Sequence, residues 1–337
     1  MKQKIKQLLC LLLACQLFTG TAWARPDWPA DTGIQAEAGI VMDADSGAIL
    51  FGQNIHVPYP PASITKILTA LIVLEHAQPD EMVTFTETAC NSVESDSGNK
   101  LGVVPGDPLT VEDCLYGLLL VSANQAANAL AEHVAGSIPA FVDMMNDKLA
   151  ELGCTESHFD NPSGLNGDTQ YVTAYDMALI AQAAYQNETL LEISSVKTHK
   201  LAPTINYPGG LTVNQEHRLL KESDDFHYSP AKAGKTGYLQ AAGNTLVTYA
   251  EKDGRSRYVT GDEIINLDRG SFQASDLMVD PESVITLPLG STFSDAELSL
   301  DPLPENHPER AVALFTYTYN DRVIGTAYLM AKDGVLI

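Results

Sequence analysis

The stretch ASITKILTALIVLEHA, beginning at Ala62, constrains the fold more than any other part of the chain. Its spacing predicts a helix, yet apolar side chains occupy nearly every face, so the helix must be buried on all sides. A helix without a solvent face needs a domain built around it, with other helices and a sheet as its walls. The 337 residues, 45% hydrophobic and 19% charged, suffice for such a core and exclude wholesale disorder or a fibrous repeat. Ser63 and Lys66 open this helix one turn apart, so both project from the same face.

The flanking sequence supplies the walls. AGIVMDADSGAILFGQN, residues 38–54, reads as two short strands around Asp45-Ser46-Gly47, a hairpin. Asp43-Ala44-Asp45 lacks the later acidic ligands of a calcium loop, so no metal is expected there. Thr110 and Asp113 form a T-x-x-D capping box ahead of CLYGLLLV. That helix breaks at Ser122-Ala123-Asn124 and resumes in QAANALAEHVAG. Pro139 to Leu152 is a further amphipathic helix closed by Gly153, and Thr173 with Asp176 caps another. Asp160 to Gly164 is a turn between them. After Lys232 the period changes to two, and AGKTGYL with NTLVTYAEKDG predicts a second hairpin. The order is that of an α+β domain, one sheet covered by helices. From Asp276 the pattern is β only, so residues 25–275 and 276–337 are expected to be a catalytic domain and a small β-rich domain.

Residues 1–24 carry a Lys-containing start, a short apolar run and Ala22-Trp23-Ala24, the three parts of an export signal cleaved after Ala24. Two alternatives stay open: an uncleaved anchor, or lipidation at Cys15 within Leu12-Leu13-Ala14-Cys15. Cleavage leaves 313 residues with 17 basic against 43 acidic side chains, a net −26. A surface of that sign repels a phosphate backbone, which argues against nucleic acid as a partner, and against electrostatic attachment to anionic lipid. Membrane association is therefore expected only through the N-terminus. The exported chain keeps Cys90, Cys114 and Cys154, with no C-x-x-C pair for zinc; they read as buried hydrophobes with room for one bridge.

Spacing alone does not single out a nucleophile. Ser97…Lys100, Ser194…Lys197 and Ser229…Lys232 share the S-x-x-K pattern of Ser63…Lys66, and Ser97-Gly98-Asn99 mimics S-x-N. Company separates them. Ser63…Lys66 opens a buried helix, Ser122-Ala123-Asn124 lies on a polar break, and Lys235-Thr236-Gly237, which occurs once, lies on a strand. In that order the three match the elements of serine β-lactamases and penicillin-binding proteins.

The resemblance extends beyond the triads. PPASITKILTALIVLEH, LYGLLLVSANQAANALAEHVAGS, FVDMMNDKLAELGCTESHFDNPSGLNGDTQYVTAYDMALIA and GKTGYLQAAGNTLVTYA are similar to the secreted serine-type D-alanyl-D-alanine carboxypeptidases, the low-molecular-weight penicillin-binding proteins. VITLPLGSTFSD and YNDRVIGTAYL resemble that family's all-β companion domain. The resemblance implies a β-lactamase/transpeptidase-like antiparallel sheet with helices on both faces, followed by the β domain, and no cofactor. It implies a peptidoglycan stem peptide as substrate and β-lactams as covalent inhibitors. Ser63 would be the nucleophile and Lys66 its base, with Ser122 relaying a proton to the leaving amine and Asn124 holding the peptide amide. Lys235 and Thr236 would take the substrate carboxylate. The N–H groups of Ser63 and of Tyr238, which follows Gly237, would form the oxyanion hole. Lys235 would also depress the basicity of Lys66, since two cations ~4 Å apart repel by ~4 kcal/mol at an effective dielectric of ~20.

The chain departs from the family pattern in two places. Gln125 stands where an Asp usually follows the S-x-N asparagine. Arg255-Ser256-Arg257-Tyr258 runs directly into VTGDEIINLDRGSF, as though a returning strand of roughly ten residues were absent. Arg257 answers to the family's substrate-carboxylate arginine, but the shortening shifts its frame. A binding protein of weak or no turnover is thus an alternative, and a β-lactamase a third. The third lacks support, because no Glu-x-x-Leu-Asn segment is present.

Overall fold

The computed structural model describes residues 34–93, 100–251, 256–259, 277–280, 282–288, 291–304 and 306–333. The signal segment with Cys15, the expected boundary at 276 and the last four residues lie outside them. The apolar helix is the hub. Ala62–Thr65 form a 3₁₀ turn that runs into α1, Lys66–His76, whose residues from Lys66 to Val73 are all buried. Around α1 pack α3 (Val111–Leu120), α4 (Asn124–Ala135), α5 (Ile138–Glu151), α6 (Ala174–Gln186) and α7 (Glu188–Ser195); α2 (Glu87–Asn91) lies against α4.

The capping residues read from sequence start these helices. Thr110 Oγ1 accepts from Asp113 N–H at 3.0 Å and Thr173 Oγ1 from Asp176 N–H at 3.1 Å. The two carboxylates also tie distant chain to the helix starts. Asp113 accepts from His199 Nε2 and Ala202 N–H, each at 2.8 Å. Asp176 accepts from Glu156 N–H at 2.9 Å and Ser157 Oγ at 2.7 Å. Both are buried, so each first-turn acid favours its helix N-terminus and satisfies loop donors at once. The three cysteines are free thiols, so the bridge the sequence left room for is not formed.

Strands β1 (Gly39–Met42) and β2 (Ile49–Gln53) form the first antiparallel hairpin. Short pairs follow, β3 (Met82–Thr84) with β4 (Pro108–Thr110) and β5 (Thr198–Lys200) with β6 (Thr212–Asn214). β7 (Ala231–Leu239) carries Lys-Thr-Gly and pairs with β8 (Gly243–Ala250), Lys235 opposite Val247. Among the described residues β1 pairs only with β2 and β8 only with β7. A groove of about 750 Å³, lined by β1, β8 and α6, separates the two hairpins. β9 (Ser256–Val259), which carries Arg257, pairs instead with β11 (Val284–Leu287), Arg257 opposite Thr286. Among the described residues, the strand that carries Arg257 therefore pairs with β11 and not with β8.

The C-terminal strands β10 (Leu277–Val279), β12 (Glu297–Asp301), β13 (Ala311–Tyr319) and β14 (Arg322–Ala331) form one antiparallel sheet in the order β10-β14-β13-β12. Alternate residues of β13 and β14 build a second core around Phe315, Tyr317, Ile324 and Leu329. Arg322 Nη1 donates to Leu50 O on β2 at 2.9 Å, and the hydroxyls of Ser46 and Thr286 lie 2.8 Å apart. Among the described residues no helix is long and apolar enough to cross a membrane.

Asp113→Ala should cost about 1–2 kcal/mol, because it leaves the part-buried donors of His199 and Ala202 without their acceptor. Urea denaturation checks this, and a loss below about 0.5 kcal/mol would show that the tether is redundant.

Candidate active site

Four separate pieces of chain meet at the start of α1. Lys66 is fully buried, and its Nζ has three partners: Ser63 Oγ at 2.9 Å, Asn124 Oδ1 at 2.8 Å and the backbone oxygen of Ser163. Asn124 comes from the first residue of α4, just past the polar break. Ser163 comes from the turn that the sequence showed only as a turn. Asn161 locks that turn, its Oδ1 accepting from Ser163 N–H at 3.2 Å, Ser163 Oγ at 3.0 Å and Gly164 N–H at 2.8 Å. Thr69, one turn beyond Lys66 on α1, donates to Pro162 O at 2.7 Å. Successive carbonyls of the turn thus dock onto successive turns of the helix.

This arrangement decides what Lys66 can do. Burial first, then the Lys235 and Lys100 charges, hold its amine well below the usual lysine range, with Glu216 opposing. A neutral amine has two N–H donors and one lone pair. The oxygens of Asn124 and Ser163 are carbonyl acceptors, so they take the two donors. In the neutral form the lone pair would be left to Ser63 Oγ, where a base that removes the hydroxyl proton must point it.

Lys235 is also buried, and burial pulls its pKa down to about 7, with Glu216 favouring the charged form and Lys100 opposing it. Its Nζ donates to Thr236 O at 2.6 Å. β7 approaches Ser63 so closely that a Cβ on Gly237 would lie 2.8 Å from Ser63 N and 2.3 Å from Thr245 Oγ1. Only glycine fits. Thr245 on β8 fastens the strand pair by donating to Pro61 O at 2.9 Å. Tyr238, the next residue, is exposed. Ala62 and Ser122 have φ of 51° and 62°, left-handed values uncommon for non-glycine residues and concentrated at functional sites.

Not every residue expected at the site is joined to it. Among the described residues the hydrogen-bond network about Lys66 reaches Asn124 rather than Ser122, which is half-buried at the break. Arg257 is on β9 beside β11, and its side chain lies outside the described residues. Gln125 is buried next to Asn124. Of the other S-x-x-K pairs, Ser229 and Lys232 are exposed, Ser194 is buried on α7 away from solvent-exposed Lys197, and Ser97 lies outside the described residues. A cavity of about 540 Å³, lined by Asn128, Asp160, Asn161 and Ser163 among others, opens beside the turn.

With this geometry in hand, residues 25–260 match the family model described as D-alanyl-D-alanine carboxypeptidase, peptidase S11. The chain belongs to the D-alanyl-D-alanine carboxypeptidase family. These are serine-type carboxypeptidases that act in peptidoglycan metabolism. The chain is 38% identical over 240 residues to the D-alanyl-D-alanine carboxypeptidase DacB2 of Mycobacterium tuberculosis, covering 68% of this chain and 73% of that one. It is 30% identical over 254 residues to DacF of Bacillus subtilis, covering 74% of this chain and 64% of the relative. In three dimensions it is similar to a D-alanyl-D-alanine carboxypeptidase of M. tuberculosis, with TM-score 0.59, 35% identity, and 70% of this chain and 83% of the other covered. The Streptomyces K15 DD-transpeptidase gives TM-score 0.59 at 28% identity, with 66% and 88% covered. The penicillin-binding/transpeptidase fold is therefore the architecture of this D-alanyl-D-alanine carboxypeptidase family member.

The turn that supplies Ser163 O can be tested through Gly164, where φ is +79° and an added Cβ would lie 1.9 Å from Ala62 O. Gly136 has a similar φ of +77° but open space around the Cβ position. Gly136→Ala should cost about 1–2 kcal/mol from conformation alone, and Gly164→Ala at least about 2 kcal/mol more. Equal unfolding free energies for the two variants would show that the turn and the Ala62 backbone are not in close contact.

Proposed function

We propose that the protein is an exported carboxypeptidase that removes the terminal D-Ala from peptidoglycan stem pentapeptides through an acyl-enzyme on Ser63. The observation that carries this reading is the buried Lys66 amine, whose Nζ lies 2.9 Å from Ser63 Oγ and is otherwise held by the carbonyl oxygens of Asn124 and Ser163. Ser63 Oγ attacks the carbonyl carbon of the penultimate D-Ala while Lys66 takes its proton. The developing oxyanion would be held by the N–H groups of Ser63 and Tyr238, a role supported by the close approach of Gly237 to Ser63 N. The C–N bond breaks as the leaving amine receives a proton through Ser122, and free D-Ala departs. Water, activated by the same amine, then hydrolyses the ester.

Lys235 and Thr236 would hold the substrate's terminal carboxylate, the ammonium by charge and the hydroxyl as a neutral donor. Asn124 would orient the peptide amide. Arg257 would contribute to carboxylate binding only if its strand approaches the site. The cavity beside Ser163 offers room for the preceding part of the stem. β-Lactams would acylate Ser63 by the same route. Residues 1–24 would direct export.

The groove between β1 and β8 favours a second reading, a peptidoglycan-binding homologue that turns over slowly. One experiment separates the two. Purified protein with a D-Ala-D-Ala-ended peptide should release one alanine by mass spectrometry, and Ser63→Ala should release none. Covalent labelling by a fluorescent penicillin without alanine release would favour the binding protein, and neither labelling nor release would sink the carboxypeptidase.

The reaction needs Lys66 neutral and Lys235 charged. With Lys235 at about 7, kcat/KM should fall as pH rises through about 7, because the free enzyme loses the cation that binds the carboxylate. A bound carboxylate raises that pKa, so the alkaline limb of kcat should lie at higher pH than that of kcat/KM. Coincident alkaline limbs would remove Lys235 from carboxylate binding.

A further inference from the structure

Gln215, Glu216 and His217 belong to none of the three motifs, yet they tie the elements that carry those motifs together. Gln215 Nε2 donates to Ser194 O on α7 at 3.0 Å, and its N–H donates to Lys197 O at 2.9 Å. Its Oε1 accepts from His217 N–H at 3.1 Å, which fixes the backbone that presents the imidazole. Glu216 N–H donates at 3.1 Å to the oxygen of Leu120, the last residue of α3 and two before Ser122. The Glu216 carboxylate meets Lys100 Nζ at 2.8 Å, but both side chains are part-exposed, and such a pair holds little. The backbone and Gln215 bonds are what make residues 215–217 a strut from α7 and the S-x-N break toward β7.

His217 is the end of that strut and is buried. Its Nε2 lies 3.2 Å from Val247 O and 3.0 Å from Thr248 Oγ1 on β8. Those two residues are the register partners of Lys235 and Gly234. A Cβ on Gly234 would lie 2.6 Å from Nε2 and 2.7 Å from Cδ2 of the ring, and 2.4 Å from Val247 O, so the imidazole rests directly on the residue before Lys235. Side chains alternate along a strand, so Gly234 and Gly237, three apart, open onto opposite faces. β7 is therefore held between the imidazole on one face and Ser63 N on the other.

The nitrogen chemistry separates this contact from ordinary packing. Val247 O can only accept, so the imidazole proton is on Nε2. Nδ1 is then a buried acceptor that meets no partner among the described residues. A leucine would fill similar space without that cost; what histidine adds is the Nε2–H donor. The strand it holds in turn holds the cation. Lys235 Nζ has one hydrogen-bond partner among the described residues, Thr236 O on the same strand, so the ammonium goes where β7 goes.

We propose that His217 is a positioning residue for Lys235, its Nε2–H bond to β8 and its ring against Gly234 setting where the Lys235 ammonium meets the substrate's terminal carboxylate. The inference rests on the carboxypeptidase reading above and adds no group to the chemistry itself.

The test compares a D-Ala-D-Ala-ended peptide with the same peptide amidated at its terminal carboxyl, measuring release of D-alanine or of D-alaninamide. Wild-type protein should favour the free carboxylate. His217→Leu should raise KM for the carboxylate peptide and cut the preference, the ratio of the two kcat/KM values, by about tenfold, with kcat/KM for the amide within about twofold of wild type. His217→Gln, whose side-chain nitrogen can reach Val247 O, should keep most of the preference. If His217→Leu does not fold, His217→Asn, too short to reach Val247 O, takes its place. A merely structural role lowers both substrates alike. Equal losses, no preference in wild type, an unchanged preference in His217→Leu, or a loss in His217→Gln as large as in His217→Leu would each overturn the proposal. Imidazole nitrogen NMR of the intact wild-type protein adds a reading that needs no variant: a proton on Nδ1 instead of Nε2 also overturns it. If wild-type protein releases neither product, the carboxypeptidase reading fails on that result. Calorimetric binding of the two peptides to Ser63→Ala, with and without His217→Leu, then decides the positioning role separately. A carboxylate preference that falls with His217→Leu supports it, and one that is absent or unchanged overturns it.

Discussion

The buried amine of Lys66 is the constraint around which the rest is organised. An ammonium placed among Ile67, Leu68 and their neighbours would cost several kcal/mol of lost hydration, even after the protein relaxes. A protein meets such a cost by pairing the charge or by neutralising the group. Here no carboxylate touches Lys66 among its hydrogen-bond partners, which are a hydroxyl and two carbonyl oxygens. The fold therefore drives the amine toward neutrality and supplies acceptors that a neutral amine can satisfy. Each wall of the core contributes to this. The α1 helix buries the side chain, the break before α4 delivers Asn124, the Asn161–Gly164 turn delivers a carbonyl, and β7 delivers a second cation.

What was legible in the sequence follows from the kind of signal each feature leaves. The hub helix was legible because total burial leaves an apolar surface on every face. Its satellites were legible because Thr110, Thr173 and their acidic partners are local caps that need only neighbouring residues. Ser63, Lys66, Asn124 and Lys235 act through side chains in an order that spacing can reveal. Ser163 acts through its backbone oxygen, which leaves no side-chain trace; only the Asn-Pro-Ser-Gly turn hinted that something was fixed there. Glu216 and Lys100 are 116 residues apart and exposed enough to read as solvated charges. The pairing of β9 with β11 is a long-range choice between two edges, and alternation within a strand does not say which edge wins.

Strain and close approach mark the same atoms from a different direction. Ala62 and Ser122 hold left-handed backbone angles without being glycine, each immediately beside or at a residue of the catalytic set. Gly164 and Gly237 are glycine because the Ala62 backbone at the first, and Thr245 Oγ1 and Ser63 N at the second, fill the space a side chain would need. Backbone from the turn and from β7 thus closes on residues 62 and 63 from two sides. Such packing fixes the backbone at Ser63 beside Lys66 without relying on a flexible side chain, which is what the proposed acyl-transfer site would require of its scaffold.

The open edge of β8 can be placed against that geometry. β7 faces Ser63 through Gly237, and β8 is fastened to Pro61 by Thr245 and to the 215–217 strut by His217. Those contacts lie at the nucleophile's side of the hairpin and behind Lys235. Among the described residues the opposite edge, the one that faces the groove and β1, has no paired strand. A strand absent there deprives β8 of ladder hydrogen bonds and side-chain cover, which is a loss of stability and a source of an exposed edge. It does not by itself move Lys235, Thr236 or Gly237 away from Ser63. Among the described residues, the contacts that hold β7 and β8 against Ser63 are thus distinct from the edge of β8 that faces the groove.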